Sequence, residues 1–157
     1  MKNVKIRIDV DEDISEEEIV IRCKEFNSTI QKIQQSIVQA SKKINLTFYK
    51  ENTEYYLSLD SILFFETSEA YIDAHTFDNV YKIKNKLYEL EEILPNQFVR
   101  VSKSTILNVS KIYSIDRNIT SSSLVKFNKT HKQVYVSRSY YKELKQRLEE
   151  RRNYYET

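Results

Sequence analysis

The sequence predicts a mainly β protein: antiparallel strands with short helices, preceded by a small β-β-α extension. Three observations carry that expectation. From residue 44 onward, apolar residues come in short runs separated by polar clusters, as strands and their turns do. Twelve Tyr and seven Phe with no Trp suit pleated, half-buried surfaces. One stripe of helical period precedes the strands and ends near residues 42–46, which divides the chain into an extension at 1–43 and a larger domain at 44–152.

Taken in order, Val4, Ile6, Ile8 and Val10 alternate with Lys5, Arg7 and Asp9, the pattern of a first strand. Asp11-Glu12-Asp13 ends it. Ser15-Glu16-Glu17-Glu18 resembles a capping box, while Ile19, Ile21 and Cys23 alternate with Val20 and Arg22 as a second strand would. The period then changes. Phe26, Ile30, Ile33, Ile37, Ala40 and Ile44 are spaced 4, 3, 4, 3, 4, one stripe of an amphipathic helix from Lys24 to Ser41. This stripe packs on the two strands or on a second copy.

Residues 46–49 and 55–59 flank a polar hairpin turn. Ile62-Leu63-Phe64-Phe65-Glu66 reads as a buried strand ending in a carboxylate. Residues 71–75 and 80–83 form a second hairpin around Asp78-Asn79. Leu87, Leu90 and Leu94 mark a short helix over 83–94, stopped by Pro95, the only proline. Phe98 to Ser102 is a strand with mixed faces, and Ile106-Leu107-Asn108 returns to the core. Residues 112–115, 124–127 and 133–136 are further strands, the last two joined by the basic turn Asn128-Lys129-Thr130-His131. Tyr141, Leu144 and Leu148 predict a terminal helix over 139–152.

The chain contains no glycine. Turns that need a positive φ fall to Asn or Asp, so Asn52, Asn79, Asn108, Asn118 and Asn128 are the expected turn residues. One cysteine, Cys23, excludes an internal disulfide and fits a reducing compartment. No apolar run approaches membrane-spanning length and no apolar signal core follows the N-terminus, so a cytoplasmic protein is expected.

The net charge of +2 hides an asymmetry. Residues 46–95 carry net −6, whereas residues 96–157 carry thirteen basic against five acidic side chains, net +8. A basic last third points to a polyanionic partner. Enzyme chemistry finds no support: no nucleophile constellation, cofactor motif or metal-ligand spacing is visible, and a glycine-rich phosphate loop is impossible. No cofactor or small-molecule substrate is expected. Attention falls instead on Ser102-Lys103-Ser104-Thr105, hydroxyls around one ammonium at a strand end. Such donors can fix phosphates and base edges, or they form an ordinary polar turn. Arg100, Asn108, Lys129 and Arg138 join them as candidate contacts.

At this point a resemblance can be stated. Ile62-Leu63-Phe64-Phe65-Glu66, then Tyr71, Leu87 and Leu90, then Phe98-Val99-Arg100-Val101-Ser102-Lys103-Ser104 with Asn108 and Ile112, and finally Val136-Ser137-Arg138-Ser139-Tyr140 and Leu144 stand in the order of the LytTR (LytR/AlgR-type) DNA-binding domain. The chain resembles that family over about residues 44–150. The family's central motif reads Phe-Arg-x-His-Arg/Asn-Ser followed by Asn; here Ser102 takes the His position and Lys103 the next. The resemblance implies antiparallel strands whose loops enter successive major grooves of promoter DNA, often as a dimer on paired repeats. It places DNA contacts on the loop after Glu66 (Ser68, Glu69 and Tyr71), on Ser102 and Lys103, and on Arg138 or Ser139. Glu69 suits only an acceptor's role, toward a cytosine amine. Arg138 has a competing structural option, an ion pair with Glu66. The short extension resembles small family members without a receiver domain, commonly encoded beside a small membrane protein that restrains them.

The function expected is therefore a sequence-specific, DNA-binding bacterial transcriptional regulator that works as a homodimer on promoter DNA. The alternatives are an interaction module for an acidic protein partner and an RNA-binding β module that stacks bases on exposed Tyr.

Overall fold

The computed structural model describes residues 4–41 and 44–155, which fall into two compact units, residues 1–36 and 37–157. Residues 42–43, part of the expected boundary near 42–46, lie outside the described residues.

In the first unit, the two expected strands are absent. Residues 4–27 contain neither strand nor helix, and Val4, Ile6, Ile8 and Val10 are 70–89% exposed. Alternation specifies which way side chains point along an extended chain, but a strand also needs a neighbour for its backbone groups. No described residue pairs with this segment. The helix α1 (Ser28–Ser41) begins four residues later than expected because Asn27 caps it: the Asn27 carboxamide oxygen accepts from the Thr29 and Ile30 amides at 3.1 Å each.

The second unit is built on an all-antiparallel seven-stranded sheet, order β2-β1-β5-β4-β3-β7-β6. Its strands are β1 (Phe48–Lys50), β2 (Thr53–Tyr55), β3 (Phe64–Ser68), β4 (Tyr71–His75), β5 (Val80–Ile83), β6 (Phe98–Ser102) and β7 (Thr105–Asn108). The helix α2 (Leu87–Ile93) bridges β5 and β6. It is shorter than expected because β5 runs through Ile83 and Glu89 reaches back to the Lys86 amide at 2.9 Å, fixing the start. A three-stranded sheet, order β10-β9-β8, follows: β8 (Ile112–Asp116), β9 (Ser123–Phe127) and β10 (Gln133–Val136), then α3 (Arg138–Tyr155).

The central strands are apolar on both faces because both faces are covered. Phe65, Phe98 and Ile106 point into one core with Ile62, Ile72, Ile83 and Leu90. Their neighbours Phe64, Val99, Val101 and Leu107 point into a second core, shared with Val125, Val134, Val136 and Leu144 of the small sheet and α3. One sheet thus serves as the wall between two cores, which fixes its register: a one-residue slip would exchange the two sets.

Positive φ falls on Glu51 (55°), Glu69 (40°) and Lys129 (60°), not on the asparagines. Asn52 and Asn128 are each one residue away. A non-glycine residue in this region costs about 1–2 kcal/mol.

Candidate nucleic-acid interface

Three segments meet at one end of the large sheet. The turn of β3 and β4 is Glu69-Ala70, closed by the Ser68–Tyr71 pair. The turn of β6 and β7 is Lys103-Ser104, closed by Ser102–Thr105. Because β3 and β7 are paired, these turns are neighbours, and the Thr67 amide donates to the Ser104 carbonyl at 2.9 Å. The third segment, Ser137-Arg138-Ser139, starts α3; the Ser137 amide donates to the Val101 carbonyl at 2.9 Å.

The β6–β7 turn is shaped from inside. A bulge lies between Arg100 and Ser102, a device that re-aims side chains at the end of a strand. The Arg100 guanidinium then curls under the turn. Its Nε donates to the Ser102 carbonyl at 2.7 Å, its Nη2 to the Lys103 carbonyl, and its Nη1 to Glu91 of α2 at 2.9 Å. The Ser102 hydroxyl oxygen accepts the Ser104 amide at 3.2 Å, a side-chain mimic of a backbone turn. Lys103 and Ser104 are left exposed at the tip.

The sequence-derived candidates therefore separate. Ser68, Glu69, Tyr71, Ser102, Lys103, Ser104, Arg138 and Ser139 belong to the three converging segments. Arg100 is spent on the turn carbonyls, its side chain 17% exposed. Asn108 is fully buried at the far end of β7. Its Nδ2 donates to the Ile62 carbonyl, and its Oδ1 accepts from the Ser110 amide and hydroxyl. Lys129 lies in the β9–β10 turn, at the end of the small sheet away from Ser137, because Val136 pairs with Ser123 and Gln133 with Lys126. Arg138 is exposed and makes no ion pair with Glu66; the group beside Glu66 is His75, with Nε2 and Oε1 2.8 Å apart.

Much of the basic last third is used structurally. Lys126 pairs with Asp116 at 3.2 Å. Arg117 lies over the Tyr141 ring at 5.1 Å. Arg151 donates to the Val109 and Ile112 carbonyls. Lys132 donates to the Thr76 and Asn79 carbonyls at 2.8 and 2.6 Å; burial pushes its ammonium below the ordinary lysine range, against the pull of Asp78 and Glu66. Lys103 and Arg138, by contrast, make no ion pair with another described residue.

Residue-type reasoning missed Lys82. It pairs with Asp73 at 2.9 Å, which raises its pKa, and it lies over the Tyr71 ring at 5.6 Å. The signal was available in the β4–β5 hairpin, where Asp73 and Lys82 are cross-strand partners.

Comparison with known proteins decides the family. Residues 52–149 match the LytTr DNA-binding domain. The chain belongs to the LytTR family. The solved LytTr DNA-binding domain of a Bacillus cereus response regulator superposes with a TM-score of 0.62 at 22% identity, covering 68% of this chain and 98% of that one; this is a likeness of fold. HTH-type transcriptional regulators of Staphylococcus aureus strains NCTC 8325 and COL are each 28% identical over 146 residues, 92% of this chain and 98% of theirs. The LytTR chain is thus built on a DNA-binding domain. None of its described helices is long and apolar enough to cross a membrane.

Proposed function

We propose that the chain is a sequence-specific reader of duplex promoter DNA. The single observation that carries this reading is the convergence of the β3–β4 turn, the β6–β7 turn and the start of α3 at one end of the sheet. Lys103 and Arg138 supply charge there, with Ser102 beside them, and these three make the base-edge or near-base contacts. Ser68, Tyr71, Ser104 and Ser139 flank them as neutral donors, and Glu69 accepts. Arg100 shapes this end without touching DNA, Asn108 is buried at the far end of β7 and touches none, and Lys129 contacts backbone at most. The relatives' names speak of an HTH type, yet α1, α2 and α3 are each separated by strands, so readout here falls to β turns and one helix start.

The RNA-stacking alternative loses ground on the placement of the tyrosines. Exposed Tyr56, Tyr71, Tyr88, Tyr113 and Tyr135 are dispersed along the chain, the last four on four different elements, and the Tyr71 ring already faces the Lys82 ammonium at 5.6 Å. The deciding experiment is binding to a duplex from the protein's own upstream region against random duplex, at two salt concentrations. A specific, salt-sensitive complex is expected. Equal affinity for both duplexes, or preference for single strands, would overturn the reading.

The homodimer on DNA rests on the first unit. Its extended segment displays Val4, Ile6, Ile8 and Val10 to solvent, an apolar surface suited to a second copy. Ile33→Asp, in the half-buried stripe of α1, is expected to convert dimer to monomer in sedimentation and to leave the second unit's melting unchanged. Unaltered self-association would remove that stripe from the interface.

A further inference from the structure

We propose that Glu66, Asp73 and His75 bind a divalent first-row transition ion of the zinc class at the base of the β3–β4 hairpin. The register makes the cluster. Glu66 and Asp73 are cross-strand partners, and His75 is two residues beyond Asp73, so all three side chains share one face. One ligand atom from each lies within 4.8 Å of the others.

Two further observations point to an ion. His75 Nε2 approaches Glu66 Oε1 to 2.8 Å, yet neither ring nitrogen makes an aligned hydrogen bond. They are the buried side-chain polar atoms without a hydrogen-bond partner among the described residues. Two ligand atoms at that separation are about half an ångström closer than the edge of a tetrahedral site with bonds of about 2.0 Å, so a small opening of the exposed Glu66 side chain would admit the ion. The imidazole is also held in place: it stacks on Phe64 at 4.2 Å and 13°, and Phe64 stacks on Phe127 at 5.7 Å. A fixed ring is a pre-oriented ligand.

One imidazole and two carboxylates suit zinc, cobalt or manganese better than the all-oxygen cations calcium and magnesium. Two ammonium groups oppose the ion. Lys82 holds Asp73 Oδ1 at 2.9 Å and would have to release it; its side chain is half exposed and free to swing away. Lys132 is tied to the Thr76 and Asn79 carbonyls and stays. These charges weaken the site. Glu66, 42% exposed, gives the entry path. Binding would pin the two strands that carry the Ser68–Tyr71 turn.

The test uses the full chain after chelator treatment, without DNA, so its outcome is separate from that of the DNA-reading proposal. Titration with ZnCl2 by calorimetry, and with CoCl2 by visible absorption, is expected to give one ion per chain. His75→Asn and Glu66→Gln should each weaken binding at least tenfold, whereas Cys23→Ser and His131→Asn should leave it unchanged. Lys82→Met should tighten it severalfold by removing the competing ammonium, a gain that a folding defect cannot mimic. No saturable binding at 100 μM, stoichiometric binding that survives both His75→Asn and Glu66→Gln, or no tightening in Lys82→Met would overturn the site.

Discussion

Lys103 and Lys132 lie at opposite ends of the second unit, and the contrast between them shows what a basic sequence does and does not say. At the β6–β7 end, Lys103 stands exposed on a two-residue turn, with Ser104 beside it and no ion-pair partner among the described residues. At the other end, Lys132 is half-buried and donates to the backbone carbonyls of Thr76 and Asn79. One end has its backbone satisfied by Arg100 from beneath, which frees the lysine above it. The other end has a lysine doing what Arg100 does. Cations that brace a turn are spent; cations carried on a braced turn are available. The division is of role, and the charge is the same.

The largest effect should come from removing the brace at the reading end. Arg100→Ala deletes charge-assisted hydrogen bonds to two carbonyls and to Glu91. A loss of about 2–3 kcal/mol in chemical denaturation is expected, together with loss of sequence discrimination by a residue that touches no DNA. Arg100→Lys should not restore it, because a point charge cannot span donors directed at three acceptors. Full discrimination in Arg100→Ala would show that the turn keeps its shape unaided.

Lys103→Ala sharpens the contrast from the other side. Stability should change by less than about 0.5 kcal/mol, as for an exposed side chain, while specific binding weakens by about 1–3 kcal/mol. An equal loss on random duplex would make Lys103 a phosphate contact. Lys132→Met should do the reverse. It leaves the Thr76 carbonyl without its donor, while the Asn79 carbonyl still accepts from the Thr76 amide; a loss of about 1–2 kcal/mol of stability is expected, with the ratio of specific to random binding unchanged. A changed ratio would break the comparison by giving the far end a part in reading.

The fold was legible where local pattern and tertiary demand agree. Strands at 71–75, 80–83 and 133–136 follow their alternation residue for residue, and the run Ile62 to Phe65 is unbroken because both faces of β3 are buried. The N-terminal strands failed because Val4 to Val10 fix a side-chain pattern without a pairing partner. The site was half legible. Ser102 and Lys103 could be picked out as polar groups at a strand end. The burial of Asn108 and the inward turn of Arg100 could not, since both depend on which backbone carbonyls the topology leaves nearby. The Glu66, Asp73 and His75 cluster needed the pairing of β3 with β4: Glu66 and His75 are nine positions apart, and only the hairpin register puts them on one face.

The smallest expected effect bears on the second turn of the reading end. The β6–β7 turn has a bulge and an arginine brace and no residue at positive φ, whereas the β3–β4 turn places Glu69 at φ 40°. Glycine adopts that region without the Cβ clash. Glu69→Gly is therefore expected to raise stability by about 1 kcal/mol, read from the denaturation midpoint at unchanged slope. The same substitution removes a carboxylate from a surface proposed to face DNA. If Glu69 accepts from a cytosine amine, the stabilised variant loses preference at one base pair. If it only repels phosphate, affinity for every duplex rises together. The first result is expected, because a specific contact would offset both the backbone cost and the repulsion.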